Sequence, residues 1–360
     1  MYLALREVRF ARGRFALMGT VVALITLLLV MLTGLTSGLA RQNVAAIDSL
    51  PADRIAFGDD ERDPSYTESS VDAEQLETWQ QAEGVSHAEP LGISQTTAEA
   101  GNAASVAVIG LAEDSQMGPD DDVTPSADQT VVSEEISEDL GLKVGDPVTI
   151  NGQELTVSAV TPTQWYSHTP VMWTALTQWQ ELSPRGDPNA VGTVLAITAQ
   201  DDASPTVDEQ AVDDAAGTWS MTPTESFDAL ASYSSENGSL TLMQVMLYLI
   251  SGLVIAAFLT VWTVQRTRDI AVLKALGAST GYVLRDALAQ AAVVLTLGAS
   301  IGGLAGWAGG LAASGTAPVE LTMLTSLAPA AGVLLAGLVA AVLAVRRVTR
   351  VDPLLALGGS

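Results

Sequence analysis

The chain has no cysteine and only two histidines, His87 and His168, among 360 residues. The first absence excludes disulfides, thiolate metal sites and cysteine catalysis. The second leaves no multi-histidine metal site to expect, and no metal is assigned. Cations are scarce as well: 16 Lys and Arg stand against 41 Asp and Glu, a net charge of −25. That shortage is local, because residues 41–238 hold 36 acidic and 5 basic residues. Also missing are a G-x-x-x-x-G-K-S/T phosphate loop, an H-E-x-x-H zinc helix and a G-x-S-x-G nucleophile elbow. No spacing ties the isolated Ser, Asp and His residues into a triad. The sequence therefore predicts no catalytic residues and no enzyme, and any energy the protein uses must come from a partner. Nucleic acid is not an expected partner.

What the chain does have is apolar sequence, 48% of it, gathered at the N-terminus and in the last third. From Arg14 to Arg41 there is no charge between the two arginines, and Val21 to Leu32 is almost wholly aliphatic. This run exceeds the roughly 20 residues needed to cross a bilayer, and it is longer than a signal-peptide core of about 7–15 residues. A retained helix is the expectation. Three further charge-free stretches follow, 237–265, 287–319 and 321–345, the second long enough to include an outer loop.

Cations set the expected orientation. Arg6, Arg9, Arg12 and Arg14 precede the first span. Arg266, Arg268, Lys274 and Arg285 lie between the charge-free stretches 237–265 and 287–319, and Arg346, Arg347 and Arg350 follow the last one. An even number of spans puts all three segments on one side, the cytoplasm. The chain then divides into a cytoplasmic arm (1–14), span one (15–40), an extracellular domain (41–238) and span two (239–264). A cytoplasmic segment (265–280), span three (281–312), an outer loop (313–320), span four (321–345) and a cytoplasmic tail (346–360) complete it. The expectation is a multi-pass membrane protein, surrounded by lipid, with both termini in the cytoplasm.

The acidic insert is long enough for a folded domain. Strand-like runs at 105–111, 147–150, 155–160 and 194–198 are separated by turn signals. Among these, Asn151-Gly152 is a strong hairpin cue. Residues 75–82, 133–140 and 175–182 read as helices, so an α+β domain is expected. The fold class is thus an α-helical membrane protein with four transmembrane helices and an inserted extracellular α+β domain. Asp120-Asp121-Asp122 and Asp201-Asp202 lack the spacing of a calcium loop and read as solvated surface.

Residues 265–279 carry Arg266, Arg268, Asp269 and Lys274, with Ile270, Leu273 and Leu276 on one helical face, then Gly277. By itself this is a juxtamembrane amphipathic helix. Its wording closely resembles the cytoplasmic coupling segment of FtsX/MacB-type ABC transporter permeases. The tail 346–357 and the outer run 131–146 resemble the same family, as does the order of one span, outer domain and three spans. The resemblance implies a MacB-like fold and a permease subunit without its own nucleotide site. It also implies a homodimer working with a separate cytosolic ABC ATPase, which would bind and hydrolyse the ATP. Arg266, Arg268, Asp269, Lys274 and Gly277 would then contact that ATPase.

Leu3–Phe10, Arg14-Phe15, Ser37–Asn43 and Asp48 look like the HrtB-type haem-efflux permeases. That resemblance implies haem as the transported substrate, taken from the outer leaflet, with no tightly bound cofactor. Haem needs axial ligands and an apolar slot. Tyr233, Glu236, Met243 and Met246 at the outer end of span two are the candidates, with Tyr166 and His168 from the aromatic run 165–173. The two methionines equally suit ordinary helix packing. The other functions open to the family are an FtsX-like mechanotransmitter acting on an extracellular protein, or export of a lipid, peptide or antimicrobial. Finally, Gly298, Gly302, Gly306 and Gly310 recur every four residues in span three. They predict a face for close helix packing, whether on span four or on another subunit.

Overall fold

The computed structural model describes residues 12–58, 64–119, 125–183, 189–200, 207–265, 272 and 279–349. Two compact units emerge: residues 1–39 with 238–360, and residues 40–237.

The first unit is helical. Its elements are α1 (Arg12–Asp48), as far as residue 39, α6 (Ala231–Gln265) from residue 238, α7 (Thr280–Ala313) and α8 (Met323–Thr349). All four are long and apolar enough to cross a membrane. They are apolar around their whole circumference, as helices solvated by lipid are. Their shared core gathers Val22 and Leu29 of α1, Ile255 and Leu259 of α6, Val294 and Leu295 of α7, and Val333 and Ala341 of α8.

In lipid, helices associate by close packing rather than by escape from water. The α7 glycines show how. A methyl group on Gly298 would stand 2.9 Å from the Gly19 carbonyl oxygen, and one on Gly306 would stand 2.9 Å from the Val30 side chain. On Gly302 it would collide with the Ala23 carbonyl and crowd Thr26. Three of the four glycines thus lie against α1 of the same chain, while Gly310 faces Leu321 ahead of α8. Polar bonds reinforce the bundle at the outer ends of the helices. Gln244 Nε2 donates to Thr36 Oγ1 at 3.0 Å, and Ser37 Oγ donates to Glu320 Oε2 at 3.3 Å.

The second unit is α+β. In chain order it contains β1 (Arg54–Phe57), β2 (Val71–Asp72), α2 (Ala73–Gln80), β3 (Val85–Ala100) and β4 (Asn102–Leu111). Next come β5 (Gln129–Ser133), α3 (Glu134–Leu140), β6 (Pro147–Ile150), β7 (Gln153–Thr161), β8 (Trp165–Tyr166) and β9 (Thr169–Ala175). Then follow α4 (Leu176–Leu182), β10 (Ala190–Gly192), β11 (Val194–Ala199), α5 (Glu209–Ala216) and β12 (Trp219–Met221).

The large sheet runs β12-β1-β11-β3-β4-β9-β5-β7-β6, with β8 on β9. The long strand β3 does double duty. Its first half pairs with β11, and its second half pairs with β4 and, through Ala98↔Ile150 and Glu99↔Thr149, with β6. That last pairing closes the six strands from β3 to β6 on themselves around Val106, Val108, Val132, Val148, Leu155 and Met172. The β6–β7 hairpin turns through Asn151 (φ 48°) and Gly152 (φ 83°), both in the left-handed region that a tight two-residue turn requires. Gly92 and Gly110 sit opposite each other on β3 and β4, and a side chain at either would collide with Trp179 of α4. The three helices expected from sequence in this domain form as α2, α3 and α4.

A polar cluster at the ends of three elements

The candidate site is assembled inside the outer unit from segments far apart in sequence: residues 42–43 of α1, the β8–β9 hairpin, and residues 232–236 of α6. The hairpin is the informative element. Its two turn residues, Ser167 (φ 47°) and His168 (φ 62°), both adopt left-handed backbone conformations, where Asn-Gly is the favoured pair. For residues with a side chain this costs about 1–2 kcal/mol each, so neighbouring structure must hold the turn. The hold is visible. Ser167 N–H donates to the Asn43 carbonyl and His168 N–H to the Gln42 carbonyl, both at 2.9 Å. Ser167 Oγ is 2.9 Å from Ser232 Oγ, and Gln95 Nε2 donates to Thr169 Oγ1 at 2.9 Å.

Side chains then converge. His168 Nε2 lies 3.0 Å from both Glu236 carboxylate oxygens. With its proton on Nε2, the ring donates to that carboxylate. Asn43 Nδ2 donates to Glu236 Oε2 at 3.2 Å and also lies 3.0 Å from His168 Nε2. Asn43 Oδ1 accepts from Ser232 Oγ at 2.6 Å. Asn43 is 1% exposed, whereas the His168 and Glu236 side chains keep 30% and 40% of their surface. The arrangement is a carboxylate and an imidazole presented at the surface over a buried amide.

The structure thus brings together two of the nominated ligands, His168 and Glu236. Tyr233, also nominated, packs edge-on against Phe227, ring centroids 5.7 Å apart. Tyr166 is placed elsewhere. It is 3% exposed in the domain core, edge-on to Tyr66, and Met172 and Trp173 of the same aromatic run are core residues. Met243 and Met246, in the membrane unit, are 55% and 52% exposed rather than packed against other helices of the bundle. Asn43 was read from sequence only as the end of the HrtB-like run 37–43, and Ser232 was not singled out. The available signal was a polar residue just beyond a long apolar run, which is too common to discriminate. The coupling residues Arg266, Arg268, Asp269, Lys274 and Gly277 lie outside the described residues, as do Asp120–Asp122 and Asp201-Asp202. Among the described residues no group of three or more His, Asp or Glu could hold a metal ion.

Residues 15–215 match the MacB-like periplasmic core domain, and residues 241–353 match the C-terminal region of FtsX-like permeases. The chain belongs to the FtsX/MacB-type ABC transporter permeases. This permease is similar along its whole length to a protein of Staphylococcus haemolyticus that bears the name of a hemin transport system permease, HrtB. The two are 26% identical, covering 100% of this chain and 99% of that one. An uncharacterized ABC transporter permease of Mycobacterium bovis is likewise 26% identical over the same shares. Among solved structures, the periplasmic region of MacB from Actinobacillus actinomycetemcomitans aligns with 50% of the permease and 92% of its own chain. Its TM-score is 0.36 at 14% identity. By its family this permease is the membrane subunit of an ABC transporter, with an extracellular domain, and the family implies a partner ATPase.

Proposed function

We propose that this permease exports haem, taking it from the outer leaflet as a homodimer driven by a separate cytosolic ATPase, with both termini in the cytoplasm. The observation that carries the reading is the pairing of Glu236 with His168, in a chain similar from end to end to proteins named for hemin transport. Carboxylate and imidazole are both competent iron ligands, and both side chains are accessible. The exposed thioethers of Met243 and Met246 are the candidates from the membrane unit. They lie on the least buried of the four helices, an apolar surface suited to a flat hydrophobic ligand.

Absorption spectroscopy of the purified permease, titrated with haemin in detergent, tests the reading. A saturable Soret shift at defined stoichiometry is expected. Glu236→Ala weakens it at least tenfold, and Met243→Ala weakens it less. Unchanged affinity in both variants would sink the proposed ligands. No saturable shift at all would leave a permease for a lipid or peptide, or an FtsX-like mechanotransmitter.

A further inference from the structure

We propose that Asn43 is the positioning residue of a clasp that closes the Glu236 carboxylate against His168, and that a ligand must open this clasp to reach the carboxylate. The inference rests on the haem reading and adds the resting state of its binding site. His168 Nε2 is equidistant, at 3.0 Å, from Oε1 and Oε2. It therefore contacts both carboxylate oxygens at once. Oε2 is further engaged by Asn43 Nδ2. Glu236 is thus already satisfied within its own chain.

Asn43 is the hub because this one residue of α1 reaches both of the other elements. Its main-chain oxygen holds the hairpin through Ser167 N–H, its Nδ2 holds Glu236, and its Oδ1 takes the Ser232 hydroxyl. Burial locks its rotamer, while the two residues it positions stay accessible. A site that is competent only when open binds with its intrinsic affinity divided by the closed-state penalty. Weakening the clasp therefore tightens binding, the reverse of what structural damage does.

The test uses the full chain in lipid nanodiscs, titrated with haemin and read at the Soret band. Asn43→Ala is expected to tighten binding about tenfold, the effect of removing a charge-assisted hydrogen bond from the closed state. The chain has no cysteine of its own, so the double variant Ser167→Cys/Ser232→Cys holds the sole thiol pair, placed where the hydroxyl oxygens are 2.9 Å apart. Oxidised, it pins the hairpin to α6 and is expected to weaken binding at least tenfold; reductant restores it. Binding that is lost in Glu236→Ala but unchanged or weaker in Asn43→Ala, or equal in the oxidised and reduced pair, overturns the clasp and leaves the haem site standing. No saturable binding in wild type or any variant overturns the haem reading, and the clasp with it.

Discussion

Tyr66 shows what a single buried polar group contributes. Its side chain is 1% exposed in the outer core, and its hydroxyl is 2.8 Å from Ser226 Oγ. Burial pushes the phenol well above its ordinary value, outweighing the opposing hydrogen bond to Ser226. A group whose pKa is raised by folding lends stability that is fully present below the unfolded pKa. That stability is lost as pH rises toward the folded value. Denaturation midpoints at about pH 8 and about pH 11 should therefore fall steeply for wild type and less for Tyr66→Phe. Near neutrality the same variant costs about 1 kcal/mol, because only one neutral hydrogen bond is removed. An equal alkaline loss in both proteins would refute this account. The role of neither Tyr66 nor Asn43 was legible in the sequence. Each is an ordinary residue whose role comes entirely from what surrounds it.

At the scale of elements, the glycine stripe of α7 was legible as a packing face, but its partner was not. A four-residue period says that one side of the helix is bare; it does not say which helix comes near. The structure places α1 there, with the tightest approach at Gly302. Gly302→Val forces the helices apart or the Ala23 backbone aside, at about 1–3 kcal/mol or more. Gly303→Ala, where the new methyl group would meet only Ala330 Cβ at 3.8 Å, is neutral to within about 0.5 kcal/mol. Thermal unfolding of both variants in detergent checks the contrast, and equal melting temperatures would show that the stripe is incidental. The Ser167-His168 turn is the opposite case. Its composition argues against a tight hairpin, and the contacts around it override that preference. The Asn151-Gly152 turn, by contrast, was readable directly from its residues.

For the whole molecule, family membership implies a partner ATPase, and the sequence nominates the segment that meets it. The double variant Arg266→Glu/Arg268→Glu should abolish co-purification of the ATPase subunit while leaving thermal stability within about 0.5 kcal/mol of wild type. Retained assembly would move the coupling surface elsewhere.

The sequence by itself determined that this is a four-span membrane protein with one acidic outer domain. A bilayer demands long unbroken apolar runs, and hydropathy and charge are properties of consecutive residues. The same locality explains why three outer helices and a hairpin could be read. Tertiary structure alone decided that β3 reaches β6 to close the sheet, that α7 rests on α1, and that Asn43, His168 and Glu236 meet. Asn43 is 125 residues from His168 and 193 from Glu236. Contacts over such separations depend on the path of the whole chain, which no local pattern encodes.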